Sequence, residues 1–209
     1  GPERVYTIAA EQHGVASYYR NTVIHFFLNK AIAELSLLHM EQQKATGPDA
    51  FWDEAERLRD FFKFEFFYAP RDEFRRDMSA ELERYQPGWE SGLYAPGAAQ
   101  ELFDRMRPRM AHGVLLPFVE AYRVAADVLA RQAGDEVPEQ KEFVQQCLAY
   151  GRQAYLQRRI SSEASIGKLL FANGYRLLDN LGLVAVPEDP AQRGDLGEQR
   201  LQIAQTFRQ

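Results

Sequence analysis

The stretch SYYRNTVIHFFLNKAIAELSLLHM, Ser17 to Met40, decides how this chain is read. Tyr18, Tyr19, Val23, Ile24, Phe26, Phe27, Leu28, Ile32, Leu35, Leu37 and Leu38 make it apolar enough for a long helix at the centre of a fold. Arg20, Asn21, His25, Asn29, Lys30 and Glu34 interrupt it. Such a helix buries polar groups, and buried polar groups need partners. Those partners lie in a substrate, in the rest of the chain, or in a domain outside it.

The 209 residues suit one domain, or one with a small appendage. A hydrophobic content of 45% and a charged content of 26% are ordinary for a globular protein. The net charge of -5 argues against a general nucleic-acid binder. The single cysteine, Cys147, has no internal disulfide partner, which points to a reducing compartment. Gly1-Pro2, with no initiator Met, reads as an expression scar, so residues 3–209 are taken as the domain. No apolar run reaches the roughly 18 residues of a membrane-spanning helix, because Lys30 and Glu34 break the nearest candidate.

In chain order, Glu3 to Ile8 is a short extended lead-in or strand. The first helix ends at Thr46-Gly47-Pro48. A second helix opens at Pro48-Asp49 and is expected to run to about Phe67, although FFKFEF also alternates as a strand would. Arg71 to about Tyr85 reads as an exposed amphipathic helix, and Gln86 to Ala98 as a loop. Helices follow over Ala99–Met110, Val114–Ala133 and from Val137-Pro138-Glu139 to about Gln157. Ser161 or Ser162 caps another, with a stripe of Ile166, Leu169, Leu170, Leu177, Leu178 and Leu181 and a terminating Gly182. Leu183 to Val186 has the composition of a short strand, Pro187–Gly197 that of a polar loop, and a last helix begins beyond it. The expected fold is all-α: a bundle of about seven or eight helices with at most one or two short strands.

Catalytic and cofactor signatures are scarce. His13, His25, His39 and His112 include no i, i+4 pair for zinc, and no Glu-x-x-His pair for a di-iron bundle occurs. There is no Walker loop, dinucleotide fingerprint or G-x-S-x-G elbow, so no cofactor and no metal is assigned. Cys147 reads as a packing residue. Asn21 and His25 are i, i+4 neighbours; a polar seam between helices is preferred there over a ligand site. Glu65, among four phenylalanines, either has a raised pKa or is ion-paired, with Arg20 the preferred partner. A helix, a glycine and a short strand over Ile160–Val186 suggest part of a winged helix, but Lys168 and Arg176 are too few basic residues for DNA. The aromatic run from Phe51 to Tyr68 suits burial, a partner domain or a membrane surface.

Four segments resemble one family. YYRNTVIHFFLNKAIAEL, LRDFFKFEFFYAPRDEF (Leu58–Phe74), LLPFVEAYRVAADVL (Leu115–Leu129) and ISSEASIGKLLFANGYRLLDNLGLV (Ile160–Val184) are similar, in order and spacing, to the C-terminal region of the large glycerol-3-phosphate acyltransferases, the bacterial membrane enzyme and its mitochondrial relatives. The related dihydroxyacetone-phosphate acyltransferases are the less favoured source. The resemblance implies a parent enzyme that moves an acyl group from acyl-CoA or acyl-carrier protein to the sn-1 hydroxyl of glycerol 3-phosphate, giving lysophosphatidate for phospholipid synthesis. It implies a base drawn from an H-x4-D motif. Five residues after the four histidines stand Tyr18, Lys30, Lys44 and Pro117, so the motif is absent and no catalytic residue is carried over.

The resemblance therefore implies a non-catalytic helical domain. Its partners would be an N-terminal acyltransferase domain of the same polypeptide and, through the parent, the cytoplasmic face of the cell membrane (the outer mitochondrial membrane in a eukaryote). Tyr19, Arg20, Asn21, His25 and Glu65 are the candidates for structural or interdomain polar contacts. A stand-alone ligand-binding or regulatory module, and a membrane-surface scaffold, are the alternatives.

Overall fold

The computed structural model describes residues 12, 23–109, 111–132, 139–188 and 190–207. The expected lead-in over Glu3–Ile8 and the first part of the opening stretch lie outside the described residues. Among the described residues there are nine α-helices, two 3-10 helices and no strand, so the chain is all-α as expected. The structure divides into two compact units: Val23–Leu116, and Pro117 onward.

In the first unit, α1 (His25–Gln43) packs against α2 (Pro48–Phe61), α3 (Arg71–Glu83), α5 (Ala98–Arg105) and the 3-10 turn Ala111–Leu115. Ala31, Ile32, Ala33 and Glu34 are consecutive and all buried, so α1 is enclosed on every side. That is why its apolar residues form no single stripe. On α3, Phe74, Met78 and Leu82 form a clean buried row at helical spacing, as an amphipathic surface helix requires.

Two expectations fail in this unit. The second helix stops at Phe61 rather than near Phe67, and the rest of FFKFEF is neither helix nor strand; residues 62–65 form turns. Arg59 holds the alternative path. Its Nη2 donates to the carbonyl of Ala69 (3.1 Å), and its guanidinium lies 5.5 Å from the Tyr68 ring and 5.7 Å from the Phe74 ring. Phe62 is buried, whereas Phe67 is 107% exposed. Gln86–Ala98, expected as a loop, contains the one-turn helix α4 (Trp89–Gly92). Trp89 is buried against Phe51 and Trp52, at centroid distances of 4.9 and 5.8 Å, and edge-on aromatic packing of this kind pins the segment to α2.

The second unit holds α6 (Leu116–Leu129), α7 (Gln140–Leu156), the 3-10 turn Glu163–Ser165, α8 (Lys168–Asn180) and α9 (Pro190–Thr206). Ser162 is a cap, accepting from the Ala164 N–H (3.1 Å), but it caps the 3-10 turn; α8 itself begins at Lys168, after Gly167. The buried face of α8 is Phe171, Asn173, Gly174, Leu177 and Leu178, while Leu169 and Leu181 are exposed. Leu177 and Leu178 of the expected stripe are buried and Ile166 and Leu170 pack against the core, so the stripe fails only at Leu169 and Leu181. Gly174 lets α8 approach α6: a Cβ there would meet Ala125 Cβ at 3.0 Å.

Gly182 ends α8 as expected, with φ 74°. Its N–H donates to Asp179 O and that of Leu183 to Leu178 O, the two bonds of a Schellman motif. Leu183–Val186 is not a strand. A lone strand leaves its backbone groups without partners, and here the guanidinium of buried Arg200 takes that role. Arg200 Nε donates to Leu183 O (2.7 Å) and Nη2 to Val184 O (3.2 Å), tying α9 to the end of α8.

Candidate functional site

Of the candidate contact residues, Tyr19, Arg20 and Asn21 lie outside the described residues, and with them the expected Arg20–Glu65 pair. His25 opens α1 and is exposed, its ring 4.0 Å from that of Phe26. Glu65 is half-buried in the turns after α2, where its N–H donates to Phe62 O (2.9 Å).

Among the described residues α1 buries Ser36, whose hydroxyl donates to Ile32 O (2.9 Å), and one charged group, Glu34, fully enclosed at 0% exposure. Its Oε2 accepts from the His112 backbone N–H (2.9 Å) and stands 2.7 Å from His112 Nδ1. The carboxylate thus closes the 3-10 turn onto the central helix, and the tautomer with a proton on Nδ1 gives it two donors. Glu34 was visible in the sequence as a charge inside an apolar run, and His112 as a break. Nothing local joins residues 78 positions apart.

Glu120 plays the same part in the second unit. It is 8% exposed, on α6. Its Oε1 accepts from the N–H (2.6 Å) and Oγ (2.7 Å) of Ser161, and its Oε2 from the N–H of Ser162 (3.2 Å) and the Oγ of Ser165 (2.5 Å). Four donors saturate a carboxylate and keep its charge tolerable inside the fold. The sequence Ser161-Ser162-Glu163-Ala164-Ser165 reads as a cap, and it does cap; its larger role is to cradle a glutamate about forty residues upstream. A third polar node joins Tyr150, whose hydroxyl donates to Asp127 Oδ2 (2.9 Å) and accepts from Arg159 Nη1 (2.6 Å).

His112 Nδ1 is engaged with Glu34, and its ring is part-exposed. Glu54, the nearest acid to His39 at 3.8 Å, already takes Arg57 through both oxygens at 2.6 Å. Burial pushes the Cys147 thiol up, so it stays neutral and is a poor nucleophile. Among the described residues no group of three His, Cys, Asp or Glu side chains is placed to hold a metal. No described helix is long and apolar enough to cross a membrane.

Two outcomes are expected from these carboxylates. Glu120→Ala strands four donors, and urea titration should show a loss of at least about 3 kcal/mol. Glu81 has its pKa raised, mainly by burial, with Lys30 and Arg84 opposing and Glu34 adding to the rise. A carboxyl with a raised folded pKa is unpenalised below its unfolded value and loses stability as pH rises through the folded one. Glu81→Gln should therefore raise the melting temperature at pH 7, and the gain should vanish below about pH 4, where both states are protonated.

The family model described as the glycerol-3-phosphate acyltransferase C-terminal region matches residues 1–186. Proteins named putative acyltransferase plsB1, from Mycobacterium bovis and Mycobacterium tuberculosis, are 37% identical to the chain over 210 residues. The match covers 98% of this chain and 33% of theirs, so the chain spans about a third of the length of these curated relatives. No solved structure matches it. With 186 of its residues inside one family model, the chain belongs to the family of the glycerol-3-phosphate acyltransferase C-terminal region.

Proposed function

We propose that this chain is a non-catalytic helical domain that packs on, and supports, the acyltransferase domain of the same polypeptide. The parent enzyme acylates the sn-1 hydroxyl of glycerol 3-phosphate from acyl-CoA or acyl-carrier protein, giving lysophosphatidate. It works at the cytoplasmic face of the cell membrane, or at the outer mitochondrial membrane in a eukaryote, and this domain reaches the membrane through the parent.

One observation carries the reading: the H-x4-D motif that the resemblance implies is absent. None of the four histidines has an aspartate five residues on. Acyl transfer to a hydroxyl needs a base within hydrogen-bond reach of the reacting proton. The chemistry of such a step would then sit in the remaining two-thirds of the longer relatives' length. Exposed Val23, Phe26 and Phe27 beside His25 give the first unit an apolar face suited to a partner domain.

The purified chain, given acyl-CoA and glycerol 3-phosphate, should form no lysophosphatidate. Supplied in trans with the separately expressed acyltransferase domain, it should co-elute with that domain and raise its melting temperature. Turnover by the chain alone at about 1 s⁻¹ or faster, within the usual enzymatic range, would overturn the non-catalytic assignment. Failure to bind the acyltransferase domain would overturn the supporting role.

A further inference from the structure

The loop that follows α2 carries aromatic side chains that the fold does not use up. In the run Phe61 to Tyr68, Phe62 alone of the aromatic residues is buried. Phe64, Phe66 and Tyr68 are half-buried, and Phe67 is 107% exposed. A single exposed apolar residue is common on a protein surface. Phe67 differs in how firmly it is presented.

The residues on either side of it are pinned. The Phe66 N–H donates to Phe62 O (3.1 Å), and the two rings lie 6.2 Å apart. Tyr68 packs edge-on against Phe74 of α3 (5.9 Å), and the Arg59 guanidinium lies 5.5 Å from its ring. Arg59 Nη2 donates to Ala69 O (3.1 Å), so α2 holds the backbone just beyond Phe67. A side chain presented from such a frame has little freedom left to lose on binding. An aromatic anchor entering a partner's pocket is a common source of interface energy.

Size and charge select the occupant. An exposed phenylalanine offers about 150–250 Å². Its half-buried neighbours each add less, so the loop falls short of the roughly 800 Å² per partner of a free-standing complex. A second copy or a free partner held by this loop alone is therefore disfavoured. A domain of the same polypeptide needs less contact, because a tether supplies an effective concentration on the order of millimolar. Charge argues against a bilayer surface. Exposed Lys63 and Arg71 are balanced by exposed Asp60, Asp72 and Glu73, and Arg71 is already paired with Asp60 and Glu56. Anionic lipid is drawn to an excess of cations.

We propose that Phe67 is a docking knob, seated in an apolar pocket of the acyltransferase domain of the same polypeptide. Half-buried Phe64 and Phe66 and exposed Pro70 close the contact around it. The docking rests on the supporting role proposed above, and it names the residue through which that role is exerted.

The test is hydroxyl-radical footprinting of this chain alone and of the longer polypeptide that contains it. Phe67 should be oxidised at least about tenfold more slowly in the longer polypeptide, as a desolvated anchor is. Phe67→Ser should lower the melting temperature of the longer polypeptide and leave that of this chain alone unchanged. Phe67→Leu, which keeps an apolar knob, should recover most of the loss. Equal oxidation of Phe67 in both proteins, with other residues of this chain protected in the longer one, would overturn the docking knob alone. No protection anywhere on this chain would overturn it together with the supporting role. An equal fall in melting temperature in both proteins would show that Phe67 supports its own unit and overturn the proposal. Protection of Phe67 in this chain alone would also overturn it, in favour of a lipid surface if it appears on adding phosphatidylglycerol vesicles, and of a second copy if it appears as protein concentration rises.

Discussion

A carboxylate taken out of water must be given donors, and both units are arranged around that requirement. Glu120 has four, all from the short serine-rich turn between α7 and α8. Unpaired, such a group costs several kcal/mol, comparable to the whole stability of a domain. Paired, it fixes where the turn sits, and therefore where α8 starts. The turn leads α8 toward α6, where Gly174 permits close contact, and the Schellman motif at Gly182 delivers Leu183 and Val184 to Arg200. In the first unit Glu34 holds the 3-10 turn Ala111–Leu115 on the central helix through Oε2 alone, its buried Oε1 having no partner.

The segments that resemble the family read differently in this light. LLPFVEAYRVAADVL supplies Glu120 and Asp127, and ISSEASIGKLLFANGYRLLDNLGLV supplies the serines, Gly174 and the carbonyls that Arg200 binds. In LRDFFKFEFFYAPRDEF, Arg59 is the brace, fastening the chain that follows α2 through Ala69 O and two aromatic rings. The polar residues named here make internal contacts of the fold. A family resemblance carried by such residues identifies the fold.

Much of the fold was legible because periodicity reports burial directly. The amphipathic row of α3, the enclosed α1 and the glycine stop of α8 were all readable from the residues. The last helix begins at Pro190, inside the stretch Pro187–Gly197 expected as a loop. Three other failures share one cause: a long-range partner overrode a local pattern. FFKFEF has the composition of a strand and the context of a helix, and Arg59 imposes a turn instead. Leu183–Val186 has strand composition without a neighbouring strand, and Arg200 satisfies its carbonyls from the last helix. Trp89 turned an apparent loop of glycines and prolines into an anchored helical turn. At the candidate sites, the spacing of the polar residues singles out Arg20, Asn21 and His25, whereas Glu34 in the same stretch carries the buried contact. Its partner lies 78 residues away, so no spacing argument reaches it.

The central claim is that the buried polar groups of this domain hold its structure and take no part in acyl transfer. It is tested most directly by placing Glu120→Gln in the longer polypeptide that also carries the acyltransferase domain. Steady-state acylation would be measured per folded molecule, well below the melting temperature of the variant. The account predicts a lower melting temperature with kcat and KM unchanged. A collapse in kcat at an unchanged melting temperature would contradict it.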